Sequence, residues 1–425
     1  MIRDSLKPAT SLLRSVIGTN GMAAQMATLE AKIDSLTRRI PVPGPTSAPA
    51  PASTTEQSAS PAAPVDVNLL LHHSRSALMR DMPAGAKRLL SAGCAGTWYF
   101  DWIDHTYGRV PQHLGIEYYA PKPDGLPDNV IWIANTAGNM EEVESGSCDL
   151  VISGQNIEHL WPDEVAGFLA ESARVLRPGG TLCVDSPNRA MTEPLLWSHP
   201  EHTIEFTVPE IRHLFELAGF EVTKEAGIWL CQDPGNGRVL PFVPDDAVTG
   251  WTITERLISA RDKPEQSFLW WLEGRRCDRA PDRSALDAVL ADIFSRAWPE
   301  RTRRTVVVPG RAMEQRVDGA WVRVPPGDGG VVFYGPYLPL RAGKYRITFD
   351  LASDADADAA YARCDITTGP NATVLQQCDV EPGTRQVTFE VELPELKFGV
   401  QFRCTSLGRA GFSVRRQVTL TEAAA

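Results

Sequence analysis

Short apolar runs alternate with helical patterns through the first half of the chain. Apolar residues recur at helical spacing in residues 164–176, before a Pro-Gly-Gly triplet, and in residues 209–218, before Gly219. Strands that alternate with helices predict right-handed crossovers and a mostly parallel sheet, with ligands at the carboxyl ends of the strands. The predicted strands cover residues 88–92, 113–118, 129–134, 148–154, 181–186 and 221–230.

The pattern changes after residue 230. Helices are predicted over residues 254–261, 266–275 and 284–298, and only strand patterns remain from residue 305 onward. Those strands alternate apolar and polar residues between turns rich in proline and glycine, which is typical of an antiparallel β-sandwich. They are predicted over residues 304–308, 331–334, 344–350, 386–393, 398–404 and 412–420.

An a/d heptad pattern occupies residues 22–40 and places six apolar residues on one side of a helix. It predicts a short coiled coil and, through it, a homo-oligomer. The alternative is an amphipathic helix that packs on its own domain or on a membrane surface, because Arg3, Lys7 and Arg14 accompany the apolar residues before it. The six heptad residues are Met22, Met26, Leu29, Ile33, Leu36 and Ile40.

Residues 41–65 consist mainly of proline, alanine, serine and threonine, and they predict a semi-extended linker. The chain is therefore expected to divide into five parts. The predicted boundaries are 1–40 for the helical N-terminus, 41–66 for the linker, 67–235 for the α/β domain, 236–303 for a helical extension and 304–425 for the β-sandwich.

Composition excludes several classes of protein. The 425 residues carry a formal net charge of -11, without the basic patch that nucleic-acid binding requires. No apolar run approaches the roughly 18–20 residues of a membrane-spanning helix. Eight scattered cysteines without CxxC spacing argue against a cysteine zinc site and favour a reducing compartment. We therefore expect a cytoplasmic protein.

Two features indicate that the α/β domain carries the chemistry. All eight histidines lie between His72 and His213, and histidine is the side chain most often used for proton transfer near neutral pH. A turn of small residues containing Gly93 and Gly96 follows the first predicted strand, so its backbone can approach a ligand. Glu117 follows the second strand and can accept both hydroxyls of a ribose, or it is an ordinary strand-end carboxylate.

Three segments resemble the class I S-adenosylmethionine-dependent methyltransferases (type 11/23-like), in the subgroup typified by ubiquinone-type and sugar-modifying enzymes. The segments are RLLSAGCAGTWYF, SGSCDLVISGQNIEHLWPDEVAGFLAESARVLRPGGTLCVDSPNR and EHTIEFTVPEIRHLFELAGFEV. The resemblance implies a Rossmann-like methyltransferase domain, with S-adenosyl-L-methionine as cofactor. The cofactor-binding residues that it implies are Gly93, Cys94 and Gly96 at the methionine end, Glu117 at the ribose, Asn139 and Met140 at the adenine, and Ser153 and Gln155 facing cofactor and acceptor.

The chain departs from the family pattern in the first strand, in the glycine turn and before the adenine site, where Asn135 or Thr136 stands in place of a frequent acid. Ser91 stands where the first strand usually carries an acidic residue, and Ala95 and Thr97 replace two glycines of the GxGxG pattern. These departures motivate an alternative function, a non-catalytic glycan-binding or assembly protein with a degenerate methyltransferase fold.

Methyl transfer to a hydroxyl needs a base within hydrogen-bond reach of the acceptor. His159, beside Glu158 after the fourth predicted strand, is the favoured base, and its alternative role is packing or capping at a helix start. His199, His202 and Glu205 form a second group in a loop expected to cover the site. The predicted catalytic residues are therefore His159, His202 and Glu158. No metal is expected, because three possible ligands in one loop are thin evidence for one.

The segment GPYLPLRAGKYRITFDL resembles a jelly-roll module of bacterial surface-polysaccharide biosynthesis proteins. The resemblance implies a glycan or glycolipid precursor as the acceptor, a chain-capping role, and a carbohydrate-binding sandwich. If the protein belongs to such a pathway, the surface that the N-terminal helix would contact peripherally is the inner membrane. The aromatic residues that could stack on sugars are Trp321, Tyr334, Tyr337 and Tyr345, unless they belong to the core of a scaffolding domain.

Overall fold

The computed structural model describes residues 66–94, 96–118, 120–195, 197, 199, 201–302, 306–307, 321–353, 358–369 and 372–422. The predicted coiled coil and most of the linker lie outside the described residues, together with the oligomer and the membrane contact that they would make. The departure at Ala95 also lies outside them. Among the helices that the structure describes, none is both long enough and apolar enough to span a membrane.

A seven-stranded sheet forms the centre of the first domain. Its strands are β1 (Arg88–Ala92), β2 (Gln112–Ile116), β3 (Val130–Ile133), β4 (Cys148–Gly154), β5 (Leu176–Pro187), β6 (Phe220–Leu230) and β7 (Ser267–Arg276). Their order is β3-β2-β1-β4-β5-β7-β6, and all neighbours from β3 to β5 are parallel. The predicted Rossmann-like architecture is confirmed, and its carboxyl edge brings together the turns that follow β1, β2 and β4.

Three long helices share one apolar core with this sheet: α3, α5 and α8 each contribute fully buried residues to it. α5 begins where the sequence provides a capping box, because the Glu210 carboxylate accepts the backbone N–H of Thr207 at 2.9 Å. The helices are α1 (Val67–Arg80), α2 (Thr97–Thr106), α3 (Pro162–Val175), α4 (Arg189–Thr192), α5 (Val208–Leu217), α6 (Asp246–Thr249), α7 (Ile253–Ala260) and α8 (Arg283–Thr302), with 3-10 turns at Ile157–His159 and Pro264–Gln266.

The helix predicted over residues 266–275 is wrong, because this segment is the strand β7. It lies between β5 and β6 and is antiparallel to both. Trp270 and Trp271 point to opposite faces of β7, and both are fully buried. A strand that is covered on both faces shows no alternation of apolar and polar residues, so its pattern cannot be distinguished from that of a buried helix.

Two antiparallel sheets form what we call the C-terminal β-region, residues 306–422 with the gaps given above. Its strands are β8 (Val306–Val307), β9 (Trp321–Val324), β10 (Gly329–Tyr334), β11 (Pro336–Leu340), β12 (Gly343–Ser353), β13 (Ala362–Thr368), β14 (Thr373–Val380), β15 (Gln386–Leu393), β16 (Lys397–Leu407), β17 (Phe412–Arg415) and β18 (Thr419–Glu422). One sheet has the order β14-β13-β16-β10-β8 with β11 beside β16, and the other has β15-β12-β17-β9 with β18 beside β12. The inner residues of both sheets share a single core, as the alternating pattern predicts.

The sequence patterns missed β9, β11, β13 and β14 and joined β17 to β18. β14 shows why, since seven of its eight residues are exposed or half-buried and give no alternation. Tyr345 was a candidate sugar platform, but it is 3% exposed and belongs to the core. Its hydroxyl donates a hydrogen bond to the Arg341 carbonyl at 3.0 Å, so Tyr345 is a structural residue.

Candidate functional site

The turn after β1 brings two glycines to the carboxyl edge of the sheet. Gly93 has φ of 77°, and a Cβ added to it would lie 2.4 Å from the Asn156 side chain, so glycine is required there. Gly96 has φ of 92° and precedes α2, and among the described residues no side-chain cap is found at the start of this helix. The backbone N–H groups at the start of α2 therefore remain available for an anionic group.

The two side chains around this turn face the interior. Cys94 is fully buried, its thiol lies 3.5 Å from the Ile116 carbonyl, and burial raises its pKa well above the usual value. Ser91 is also fully buried, and its hydroxyl lies 2.8 Å from Nε2 of His113. Of the residues predicted at the methionine end, Cys94 can therefore contact a ligand only through its backbone.

Residues after β2 and β3 supply the next part of this edge. Glu117 is half-buried directly after β2, and its carboxylate accepts the Ala120 N–H at 3.0 Å. Asn139 is exposed, whereas Met140 is fully buried in the apolar core. The Met140 backbone is held by Glu171, whose carboxylate accepts its N–H at 3.0 Å. The Asn139 side chain is thus accessible from solvent, and the Met140 side chain is not.

A buried ion pair holds the turn after β4. Arg75 of α1 donates to both oxygens of Asp185 in β5, at 2.7 and 3.0 Å. Gln155, with φ of 54°, donates from Nε2 to the same carboxylate at 2.8 Å. Ser153 is buried, and its hydroxyl accepts the Asn156 side-chain amide at 3.1 Å. The sequence analysis missed Arg75 and Asp185, because they are 110 positions apart and no spacing connects them.

Glu158, His159 and His202 form a compact polar cluster, which we call the 158–202 cluster. Glu158 and His159 lie in the 3-10 turn after β4, and His202 comes from the loop before α5. One potential ligand atom from each residue lies within 4.8 Å of the other two. His202 Nε2 is 3.9 Å from Glu158 Oε1, and the rings of His159 and His202 are 4.8 Å apart. All three predicted catalytic residues therefore come together in the structure.

Burial dominates the protonation of this cluster. It raises the pKa of Glu158 to about 8 and lowers the pKa of His159 to about 4. It also lowers the pKa of His202 well below its usual value, with the nearby His159 and Arg301 acting in the same direction. At neutral pH both imidazoles are therefore uncharged, and each has one ring nitrogen with a free lone pair.

Arg301 connects the loop before α5 that contains His199 and His202, which we call the histidine loop, to the C-terminal β-region. This buried arginine near the end of α8 donates to the His199 carbonyl at 2.7 Å and to the His202 carbonyl at 3.4 Å. The same guanidinium donates to the carbonyls of Pro336 and Tyr337 at 2.8 and 2.9 Å. No sequence pattern indicates this residue's role, because a single arginine in a helix has no distinguishing spacing.

Comparison with known proteins connects this edge to a family. Residues 90–184 match the family model described as a methyltransferase domain. A Mycolicibacterium smegmatis protein named "Probable S-adenosylmethionine-dependent methyltransferase" is 34% identical over 145 residues, which are 33% of this chain and 54% of that protein. A Mycobacterium tuberculosis protein of the same description is 30% identical over 148 residues, 34% of this chain and 52% of that protein. The chain thus spans about half the length of these curated relatives.

A solved structure is also similar to part of the chain. It is a Burkholderia thailandensis 1,6-didemethyltoxoflavin-N1-methyltransferase with bound S-adenosylhomocysteine, 15% identical, and it covers 49% of this chain and 79% of that one with a TM-score of 0.33. The family match and the curated relatives support a class I methyltransferase domain and S-adenosyl-L-methionine as its cofactor. The matched residues include the turn after β1, Glu117, Glu158 and His159.

Proposed function

We propose that this protein transfers a methyl group from S-adenosyl-L-methionine to a hydroxyl of a bacterial surface glycan or glycolipid precursor. The observation that carries the proposal is the 158–202 cluster, which lies at the carboxyl end of β4 beside the glycine turn of β1. Ligands of parallel α/β sheets bind at this edge. A polar, half-accessible cluster there is what a hydroxyl acceptor requires.

The residues present fit the cofactor. The free N–H groups at the start of α2 suit its carboxylate, and Glu117 has the acceptor oxygens that two ribose hydroxyls need. The exposed side chain of Asn139 is available to contact the adenine. The cofactor supplies an activated methyl group on a sulfonium, so the protein's main task is to align the acceptor with it.

The cluster would orient the acceptor hydroxyl and accept its proton. His159 is the half-buried member and is therefore the residue that an acceptor can reach. Its imidazole is uncharged at neutral pH, so it can take a proton. Glu158 and His202, which are buried behind it, would position His159 and the hydroxyl.

The glycan acceptor is supported by the attachment of the C-terminal β-region to the histidine loop through Arg301. Tyr334 and Tyr337 lie near that attachment with their rings 6.0 Å apart, and both are half-buried, as is Trp321. Aromatic faces of this kind can stack on sugars. A polymer held by several such weak contacts would be bound with increased avidity, and methylation of a terminal sugar would cap the chain.

A cytoplasmic location suits a precursor as acceptor. The proposal also includes oligomerisation through residues 22–40 and a peripheral contact of the chain with the inner membrane.

Mass spectrometry of surface glycans from cells with and without this protein tests the proposal. We expect a methyl increment that disappears without the protein, stays absent with His159→Ala and returns with His213→Ala, a control for an exposed histidine outside the cluster. Glycans that keep every methyl increment without the protein would refute the glycan acceptor.

One observation favours the alternative of a non-catalytic glycan-binding or assembly protein. Ser91, at the position of the family's usual acid, is buried and occupied by its contact with His113. It therefore offers nothing to a cofactor. Under this alternative the purified chain would bind glycans and would not bind S-adenosylmethionine, whereas the enzyme binds both.

A further inference from the structure

The 158–202 cluster has the ligand set of a metal centre. It offers two imidazoles and one carboxylate, contributed by two separate segments of chain that meet after β4. Sequence reasoning considered only the ligands of the histidine loop and therefore expected no metal. The structure adds Glu158 and His159 from a separate segment of the chain, and one possible ligand atom of each residue lies within 4.8 Å of the others.

Each imidazole has one nitrogen fixed by a hydrogen-bond acceptor. His159 Nδ1 lies 3.1 Å from the Glu201 carbonyl, which can only accept, so Nδ1 carries the proton and Nε2 keeps its lone pair. His202 Nδ1 lies 2.9 Å from the Glu205 carboxylate, which likewise leaves Nε2 free and 3.9 Å from Glu158.

The hydroxyl of Thr192 donates to the second oxygen of Glu205 and holds that carboxylate in place. Histidines that ligate metals almost always donate their other N–H to a carboxylate or a carbonyl. Both histidines of the cluster have this arrangement.

The buried carboxylate of Glu158 is a second, independent indication that a ligand binds here. Its side chain is fully buried, and neither carboxylate oxygen makes a hydrogen bond within the described part of the chain. The Ser186 hydroxyl lies close to it without meeting hydrogen-bond geometry. An ionised carboxylate buried without a partner is costly, and a bound cation would stabilise that ionised form.

We propose that Glu158, His159 and His202 bind one divalent first-row metal ion, such as Zn²⁺ or Mn²⁺. Mixed imidazole and carboxylate ligands suit these ions better than Mg²⁺ or Ca²⁺, which prefer oxygen alone. Ligand atoms about 2.0–2.2 Å from one ion lie roughly 3 Å apart, so the 3.9 Å between His202 and Glu158 closes by small side-chain rotations.

Three protein ligands leave coordination positions open. A hydroxyl bound at such a position loses its proton more readily, and with the metal bound the proton passes to solvent because His159 has no free nitrogen left to accept it. This role in catalysis rests on the proposed methyl transfer, but the binding of the metal does not.

Metal binding by the full-length chain tests the inference. The chain is stripped with a chelator, and Zn²⁺, Mn²⁺ and Mg²⁺ are each titrated by calorimetry, with elemental analysis after dialysis. We expect about one Zn²⁺ or Mn²⁺ per chain, weaker Mg²⁺ binding, and a loss of at least about tenfold in affinity for His159→Ala and Glu158→Gln. The control His213→Ala, a surface histidine beside Glu216, should bind as the unaltered chain does.

Changing the supporting carboxylate sharpens the test. Glu205→Gln should weaken metal binding about 10–100-fold, because the negative charge behind a ligating histidine is lost. His159 is half-buried and its removal leaves the core intact, so its variant stays informative if Glu158→Gln fails to fold. No bound metal, or equal affinity in His159→Ala, would overturn the inference. Metal binding without S-adenosylmethionine binding would refute the proposed function alone.

Discussion

The α/β domain and the C-terminal β-region differ in what they bury. The carboxyl edge of the α/β domain buries Glu158, His202 and the Arg75–Asp185 pair among apolar residues. The β-region has no histidine, and its central carboxylate, Asp365, is paired with Arg403 at 2.7 and 3.0 Å. Buried ionisable groups cost stability unless they are paired, and such groups cluster at functional sites. The contrast is consistent with the proposal that the chemistry belongs to the α/β domain.

Removing His159 tests this contrast with the largest expected effect. His159→Ala should lower kcat/KM for methyl transfer by about 10²–10⁴-fold, the usual contribution of a positioned proton acceptor. Labelled methyl donor and extracted glycan precursors provide the assay. His213→Ala is the matched control and should retain activity. If His159→Ala keeps full activity, the chemistry does not depend on the cluster.

Arg301 joins the two regions, and its loss should be the next largest effect. Arg301→Met removes the donor for carbonyls on both sides of the junction, which should lower the free energy of unfolding by about 3 kcal/mol. Urea unfolding measures the change. Arg296→Met, on an exposed face of the same helix, should shift it little. Equal effects of the two substitutions would show that the two regions are not coupled through Arg301.

A substitution at Glu117 tests cofactor binding separately from catalysis. Glu117→Ala should raise the Kd for S-adenosylmethionine about 10–100-fold, because hydrogen bonds to a charged group contribute about 1.5–3 kcal/mol. Calorimetry measures the change, with the exposed Glu141→Ala as control. An unchanged Kd would mean that Glu117 is an ordinary strand-end carboxylate.

Arg341 makes the weaker contact between the regions, and its substitution has the smallest expected effect on stability. Its guanidinium lies 4.5 Å from the Trp161 ring centre and 2.7 Å from Asp163, which is largely exposed. Ion pairs of this kind contribute under about 1 kcal/mol. Arg341→Ala should therefore leave the urea midpoint nearly unchanged, and a large drop would shift the main junction from Arg301 to this contact.

Local patterns predicted most of the fold. The strand boundaries of β1, β4 and β15 agree with their alternating or continuous apolar runs, and α5 begins at its capping box. β7 failed because both of its faces are buried, so its apolar run has no period. Periodicity therefore identifies an element only where one face meets solvent.

The residues of the candidate site could also be predicted only in part. The glycine turn, Glu117 and His159 could be found from the sequence because each lies just after a strand, and His202 was found because it belongs to a cluster of histidines in one loop. Arg75, Asp185 and Arg301 could not, because their partners are distant along the chain and only the fold brings them together. The sequence also placed Met140 and Tyr345 at binding surfaces, whereas their side chains are buried.

Titration of the full-length chain with S-adenosyl-L-methionine by calorimetry tests the central claim most directly. The account predicts saturable binding at a single site, weakened by Glu117→Ala and retained in His159→Ala, since the 158–202 cluster serves the acceptor. An absence of binding at millimolar cofactor would contradict the account and leave the non-catalytic alternative.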